Sequence, residues 1–383
     1  MRAQSLRHGG LVVALLVAAC QARQESAGPS TATPGSTPGP APTATAGSPT
    51  DGPATTGAPQ TPIPELLRLT LDASGPILTP EDGPAGARYA LPAAGTRARD
   101  GRYVLVVVWF GDEQAGEPPK VTVATSRDAR EWRVRETPIL TALGVGPSQP
   151  GPIPSAIVEL DDGSWQLYGW AADTADQSSF ASWRASAPVL DGPWTLDGDR
   201  ILEPGPGRSW DSQTASIGSV QRTGSGFAAW YEGQPPGFNL RGDLGYATST
   251  EGLTWEKFDD AATTAPELAE SDPVVRRGLC GVGTSMAVYQ PQVELAGDGY
   301  LMVFGGFGAS GERMDLFGAL STAGTHWTCG TPEPLLQASG IPGSQGIHTI
   351  ASLPLGDGRV GILVESLGER RSDIWLAEVT PAD

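Results

Sequence analysis

The stretch Ala247–Trp255 reads "ATSTEGLTW", and close relatives of it recur along the chain. Ala124–Trp132 is "ATSRDAREW" and Leu320–Trp327 is "LSTAGTHW"; each places a Ser six residues before a Trp with Gly or Ala between. A longer version, "SAPVLDGPW", runs from Ser186 to Trp194. A β-rich run precedes the turn ("KVTVATS", "DLGYATS", "LFGALS"). After it comes an aliphatic step, usually led by proline, as in "TPILTALG", "RILEPG", "DPVVRRG" and "EPLLQASG".

The units also open alike. "RYALPAAGTRARDGRYVLVVVWF", "GPIPSAIVELDDGSWQLYGWA", "SQTASIGSVQRTGSGFAAWYEG", "VYQPQVELAGDGYLMVFGG" and "HTIASLPLGDGRVGILVES" each read as two strands around a Gly-containing hairpin turn. Five such hairpins, each followed by a third strand, form an array. Five four-stranded units in about 310 residues predict an all-β fold, a five-bladed β-propeller. The last unit supplies three strands, and "ELLRLTLD" near residue 65 is expected to supply the fourth, closing the ring without exposed edges. The Ser-to-Trp turn is then a link between third and fourth strands, with its Trp packed between blades.

Composition frames the rest. Residues 1–20 combine Arg2, Arg7 and His8 with the short apolar run "LVVALLVAAC", a secretory signal rather than a membrane span. The "VAAC" ending resembles a bacterial lipobox, which implies lipidation at Cys20, a membrane anchor and an extracytoplasmic location. Residues 21–64 are almost all Pro, Thr, Ala, Gly and Ser, with no aromatic residue to bury. They read as a disordered tether with a reach on the order of 100 Å. All eleven Trp lie between Trp109 and Trp375, so residues 65–383 are taken as the folded domain. With 43 acidic against 25 basic residues, the chain is a poor partner for nucleic acid. Cys280 and Cys329 remain after Cys20; outside the cytoplasm a disulfide and two free thiols are both open to them. Too few His and Cys remain for a zinc site, no phosphate-binding Gly-rich loop opens a helix, and no cofactor is expected.

With the repeats in place, "RASAPVLDGPWT", "YATSTEGLTW" and "SWDSQTASIGSV…FAAWYEG" resemble blade signatures of the five-bladed propeller glycoside hydrolases. These are the arabinanase/xylosidase (family 43-like) type and the related fructosidase and mannoside-phosphorylase types. The resemblance implies a carbohydrate ligand. For the arabinanase type it also implies an Asp before Pro in the first blade, a second Asp in the next, and a Glu–Gly–Pro in the third. Here Leu91 precedes Pro92 and Ile153 precedes Pro154, and neither side chain can move a proton. Carbohydrate recognition without the usual acid/base pair is therefore expected. A hydrolase using other carboxylates and a purely structural or protein-binding ring are the alternatives.

The candidate residues follow from strand starts and strand ends. Asp211, after Trp210, is a ligand-binding or catalytic carboxylate, or the cap of a tight turn; Gln213 lies just beyond it. Gln290 occupies the position of Leu91 and Ile153, and His348 opens the fifth unit. Glu232 in "WYEG" and Glu365 in "VES" hold matching places at second-strand ends, forming with Asp211 the available carboxylate set. Trp109, Trp170 and Trp230 sit one step from the same ends and offer sugar-stacking platforms or packing between blades. The extra residues 256–271 are a candidate lid or a surface insertion.

Overall fold

The computed structural model describes residues 66–111, 119–140, 153–172, 179–237, 241–308 and 313–382. The signal segment, Cys20 and the tether lie outside the described residues. The described chain is all-β.

Strand β1 (Leu67–Leu71) comes first, and five antiparallel meanders follow among the described residues. They are β2–β5 (Tyr89–Arg97, Tyr103–Phe110, Lys120–Ser126, Arg133–Val134) and β6–β9 (Ile153–Glu159, Trp165–Ala172, Phe180–Ala187, Thr195–Leu202). The third is β10–β13 (Thr214–Thr223, Gly226–Gln234, Asp243–Ser249, Glu256–Lys257), after which β14 (Pro273–Val275) also pairs with β12. The fourth is β15–β18 (Ala287–Ala296, Gly299–Phe307, Asp315–Ser321, Thr328–Cys329). The last has three strands, β19–β21 (Gly346–Gly356, Arg359–Leu367, Ser372–Pro381). Its fourth place is taken by β1, with Leu67 opposite Pro381 and Leu71 opposite Ala377.

Five apolar clusters lie between consecutive meanders, and one of them joins the last meander to the first. In β3, Val104, Val106 and Val108 face the second meander, while Leu105, Val107 and Trp109 face the fifth. A strand buried on both faces needs apolar side chains at every position, hence "YVLVVVWF" rather than an alternating pattern. The first strands β2, β6, β10, β15 and β19 neighbour one another in that order, and β19 neighbours β2. Each carries a register shift, at 92/94, 154/156, 217/219, 289/292 and 347/350.

The recurrent turn has a simple local cause. The Ser hydroxyl at the end of the third strand accepts the N–H three residues on, from Gly252 to Ser249 and from Gly324 to Ser321, at 2.8 Å. That third residue sits in the left-handed region, with φ +77° at Gly252, +80° at Gly324 and +62° at Ala129. The Trp then folds back, its indole N–H donating to the carbonyl of Ala129 in one copy and of Gly324 in another. Its ring packs on the preceding meander: Trp255 meets Tyr168 and Trp327 meets Trp230. Cys280 and Cys329 are joined by a disulfide with Cα atoms 5.4 Å apart.

Ala129 is the one copy of this turn whose left-handed residue carries a Cβ. Ala129→Gly is expected to raise unfolding free energy by about 1 kcal/mol. Urea denaturation checks this; an unchanged or lower midpoint would contradict the account of the turn.

Candidate functional site

Four of the residues singled out by sequence come together where the first strands of the last three meanders converge. Glu232 lies near the end of β11, Gln290 stands at the shifted register of β15, His348 at that of β19, and Glu365 near the end of β20. In β11, Phe227, Ala229 and Tyr231 face the second meander, so Glu232, in step with Ala228 and Trp230, faces the fourth. Its carboxylate accepts from Gln234 Nε2 at 2.7 Å and from the backbone N–H of Gln290. The Gln290 amide reaches the other way: Nε2 donates to the His348 carbonyl at 3.0 Å and Oε1 accepts the Ile350 N–H at 3.2 Å. Gln290 itself has φ +53°.

His348 and Glu365 form a buried pair, 8% and 0% exposed, with Nδ1 2.9 Å from Oε2. Thr349 Oγ1 donates to the same oxygen at 2.7 Å. An oxygen approached by a hydroxyl and an imidazole together is an acceptor, so Nδ1 carries a hydrogen. His348 Nε2 and Glu365 Oε1 have no partner among the described residues. Burial pushes the Glu232 carboxyl up to about 7, against the opposing bonds from Gln234 and Gln290. Its accessible surface is intermediate although protein surrounds it closely, as befits a group on the wall of a narrow space.

Asp211 is not part of this cluster. It is fully buried on the side of β11 that carries Tyr231, paired with Lys257 Nζ at 2.6 Å and accepting from Tyr231 Oη at 3.2 Å and Ser209 Oγ at 3.1 Å. Those bonds make it the anchor of a buried ion pair beside Trp210. Gln213 Oε1 holds the Gly237 N–H at 2.9 Å. Trp109 and Trp230 are buried packing residues rather than exposed platforms, and their indoles donate to Thr122 Oγ1 and to the Gly324 carbonyl. Trp170 is part-exposed and stands edge-on to Phe180.

Residues 256–271 do not lie over the cluster. Leu268 packs between the second and third meanders, and Trp210 bonds to Glu267 and Ser271. A cleft of about 510 Å³ beside Lys257, lined by Arg200, Trp255 and Glu270 among others, lies on this same flank, remote from His348 and Glu365.

Sequence reasoning passed over Thr349, Gln292 and Glu294. Gln292 bridges the Gly218 carbonyl and the Ser352 N–H. Glu294 accepts from Ser352 Oγ and Gln221 Nε2, and burial holds its carboxyl at about 7. Their signal is present in "VYQPQVELA", where Gln290, Gln292 and Glu294 put a polar group at every second position of a first strand. Among the described residues, no three His, Cys, Asp or Glu side chains gather as a metal site.

No family model matches this chain, and no curated protein does. Solved structures match it in fold. A glycosyl hydrolase from Bacteroides ovatus aligns at TM-score 0.57 and 13% identity, over 83% of this chain and 97% of the other. The family 117 glycoside hydrolase Zg3597 from Zobellia galactanivorans aligns at 0.55 and 14%, over 82% and 91%. The β-1,2-mannobiose phosphorylase from Listeria innocua aligns at 0.54 and 10%, over 81% and 96%. The chain therefore has the propeller-like fold of glycoside hydrolases and phosphorylases.

Two outcomes follow from the charges. Lys257→Met leaves Asp211 buried without its cation and is expected to cost about 3–5 kcal/mol in denaturant unfolding. Glu232 ionises near 4.5 when unfolded and near 7 when folded, so its burial costs nothing below 4.5 and progressively lowers stability between pH 4.5 and 7. Glu232→Gln is expected to flatten the pH–stability curve in that window; an unchanged slope would contradict the raised carboxyl.

Proposed function

We propose that the five meanders are the blades of a five-bladed β-propeller closed by β1, and that the chain recognises carbohydrate where its first strands converge. The observation that carries this reading is the Glu232–Gln290–His348–Glu365 cluster, contributed by three successive meanders. Glu232, Gln290 and Thr349 reach accessible space there, while His348 and Glu365 stand behind them. A sugar hydroxyl both donates and accepts, so a wall of carboxyl, amide and hydroxyl groups suits it. The fold shared with glycoside hydrolases and phosphorylases supports the same ligand class. Leu91 and Ile153 support a departure from the arabinanase arrangement, and the net charge of −18 favours neutral glycans over acidic ones. In this reading Cys20 is acylated, and residues 21–64 hold the propeller clear of an extracytoplasmic membrane face.

A glycan-array screen with the full chain tests it. Binding to neutral glycans is expected. Gln290→Ala is expected to weaken it at least ~10-fold, as the loss of a part-buried bridging amide and its contacts implies. Silence across the array, with a protein captured instead, would favour a docking ring.

A further inference from the structure

The flank cleft of about 510 Å³ has the size of a small-ligand site, where volumes of about 300–1,000 Å³ are usual. Its lining comes from the end of β9 and the segment after it, and from the Ser-to-Trp turn and β13 of the third meander. That turn departs from its relatives. The indoles of Trp132, Trp194 and Trp327 each donate to a carbonyl of their own turn, those of Ala129, Leu190 and Gly324. The Trp255 N–H has no partner among the described residues, and the part-exposed Trp255 lines the cleft. The N–H is itself buried, so the cleft meets the carbon surface of the ring rather than its polar edge.

The walls are set before any ligand arrives. Trp255 stands edge-on to Tyr168, with ring centroids 6.1 Å apart. Gly205, between Pro204 and Pro206, rests on the buried Asp211–Lys257 pair. Its N–H donates to the Asp211 carbonyl at 3.3 Å, and a Cβ there would strike the Asp211 carboxylate. Two fixed proline φ angles over a buried ion pair leave little backbone to order on binding.

The polar groups of the cleft narrow the ligand class. Arg200 pairs with Glu203 at 3.3 Å and Lys257 with Asp211 at 2.6 Å, while Thr254 and Glu270 are exposed. Carboxylates outnumber cations, so no excess positive charge is present to hold a phosphate or carboxylate ligand. Donors and acceptors both stand beside the apolar surfaces of Trp255 and Leu253.

We propose that the flank cleft is a second binding site, for a neutral saccharide, separate from the point where the first strands converge. The C–H face of a sugar ring lies on Trp255, and its hydroxyls meet Arg200, Thr254 and Glu270. Occupancy here does not depend on a ligand at Gln290. Where one polysaccharide reaches both sites, each raises the effective concentration of the other.

The test follows binding of cellobiose, maltose, xylobiose and mannobiose to the full chain by equilibrium dialysis. At least one is expected to bind. Arg200→Ala and Glu270→Ala change exposed residues and are each expected to weaken that binding by about 10-fold. Trp255→Phe keeps an aromatic wall and is expected to weaken it less than Trp255→Ala. Gln290→Ala is expected to leave it unchanged. Where one sugar occupies both sites, the isotherm has two phases, and Arg200→Ala and Glu270→Ala remove the phase that Gln290→Ala leaves. If Trp255→Ala does not fold, the Arg200 and Glu270 variants decide alone. Binding that falls with Gln290→Ala and ignores both of those variants overturns the flank site and leaves recognition at the first strands standing. Binding that ignores all three variants, or no binding by wild type, also overturns the flank site.

Discussion

Apart from a single parallel bridge between Thr214 of β10 and Phe180 of β8, a first strand forms its ladder along one edge only, and the backbone groups of its other edge must still be satisfied out of reach of bulk water. In this protein, side chains of adjacent meanders do it. Ser155 donates to the Ile217 carbonyl, and Ser182 serves both the Ala215 carbonyl and the Ile217 N–H. Ser219 does the same for Val293, and Gln292 spans from Gly218 to Ser352. The approach is close enough that a Cβ on Gly218 would strike Pro291, and one on Gly95 would strike the Ser352 carbonyl. These bonds fix the spacing of the meanders, and the five apolar clusters fill the wedges between them.

The candidate site is a local version of the same solution. Gln290 satisfies the backbone of β19 through its amide, as Gln292 does two residues on, yet its own backbone N–H is given to Glu232. The register shift in each first strand turns one or two residues out of the ladder. In the fourth meander those residues are Gln290 and Pro291, and in the fifth His348 and Thr349. In the first three they are Ala93, Ser155 and Gly218, which carry little chemistry. Reactive groups therefore gather toward one side.

How much of this could be read from the chain depended on distance. The Ser-to-Trp turn was legible because Ser321, Gly324 and Trp327 interact within seven residues, and because the motif repeats. Glu232 and Glu365 were legible as strand-end carboxylates in matching places. What was not legible was which faces met. Asp211 reads like a strand-start carboxylate, but Lys257 comes from 46 residues away to neutralise it. Trp109 and Trp230 stand one step from strand ends, yet parity turns them into the wedges between meanders. Residues 256–271 read as an overhang because sequence counts length and not direction; Leu268 and the bonds from Trp210 hold them to the flank.

Leu91 is the sharper case, because position and environment part company there. It stands where the arabinanase resemblance implies a carboxylate, yet it is only 4% exposed and packs against the second meander. A carboxylate introduced at that point would be desolvated without a partner, so changing the residue type alone would not supply an ionised acid there. Ile153, by contrast, is part-exposed and belongs to the same strand as the shifted Ser155. An apolar contributor from the second meander and polar ones from the third to fifth give the convergence point two unlike sides. The sugar proposed above as ligand, with C–H groups on its faces and hydroxyls around its rim, would meet that asymmetry as a whole rather than through any single residue.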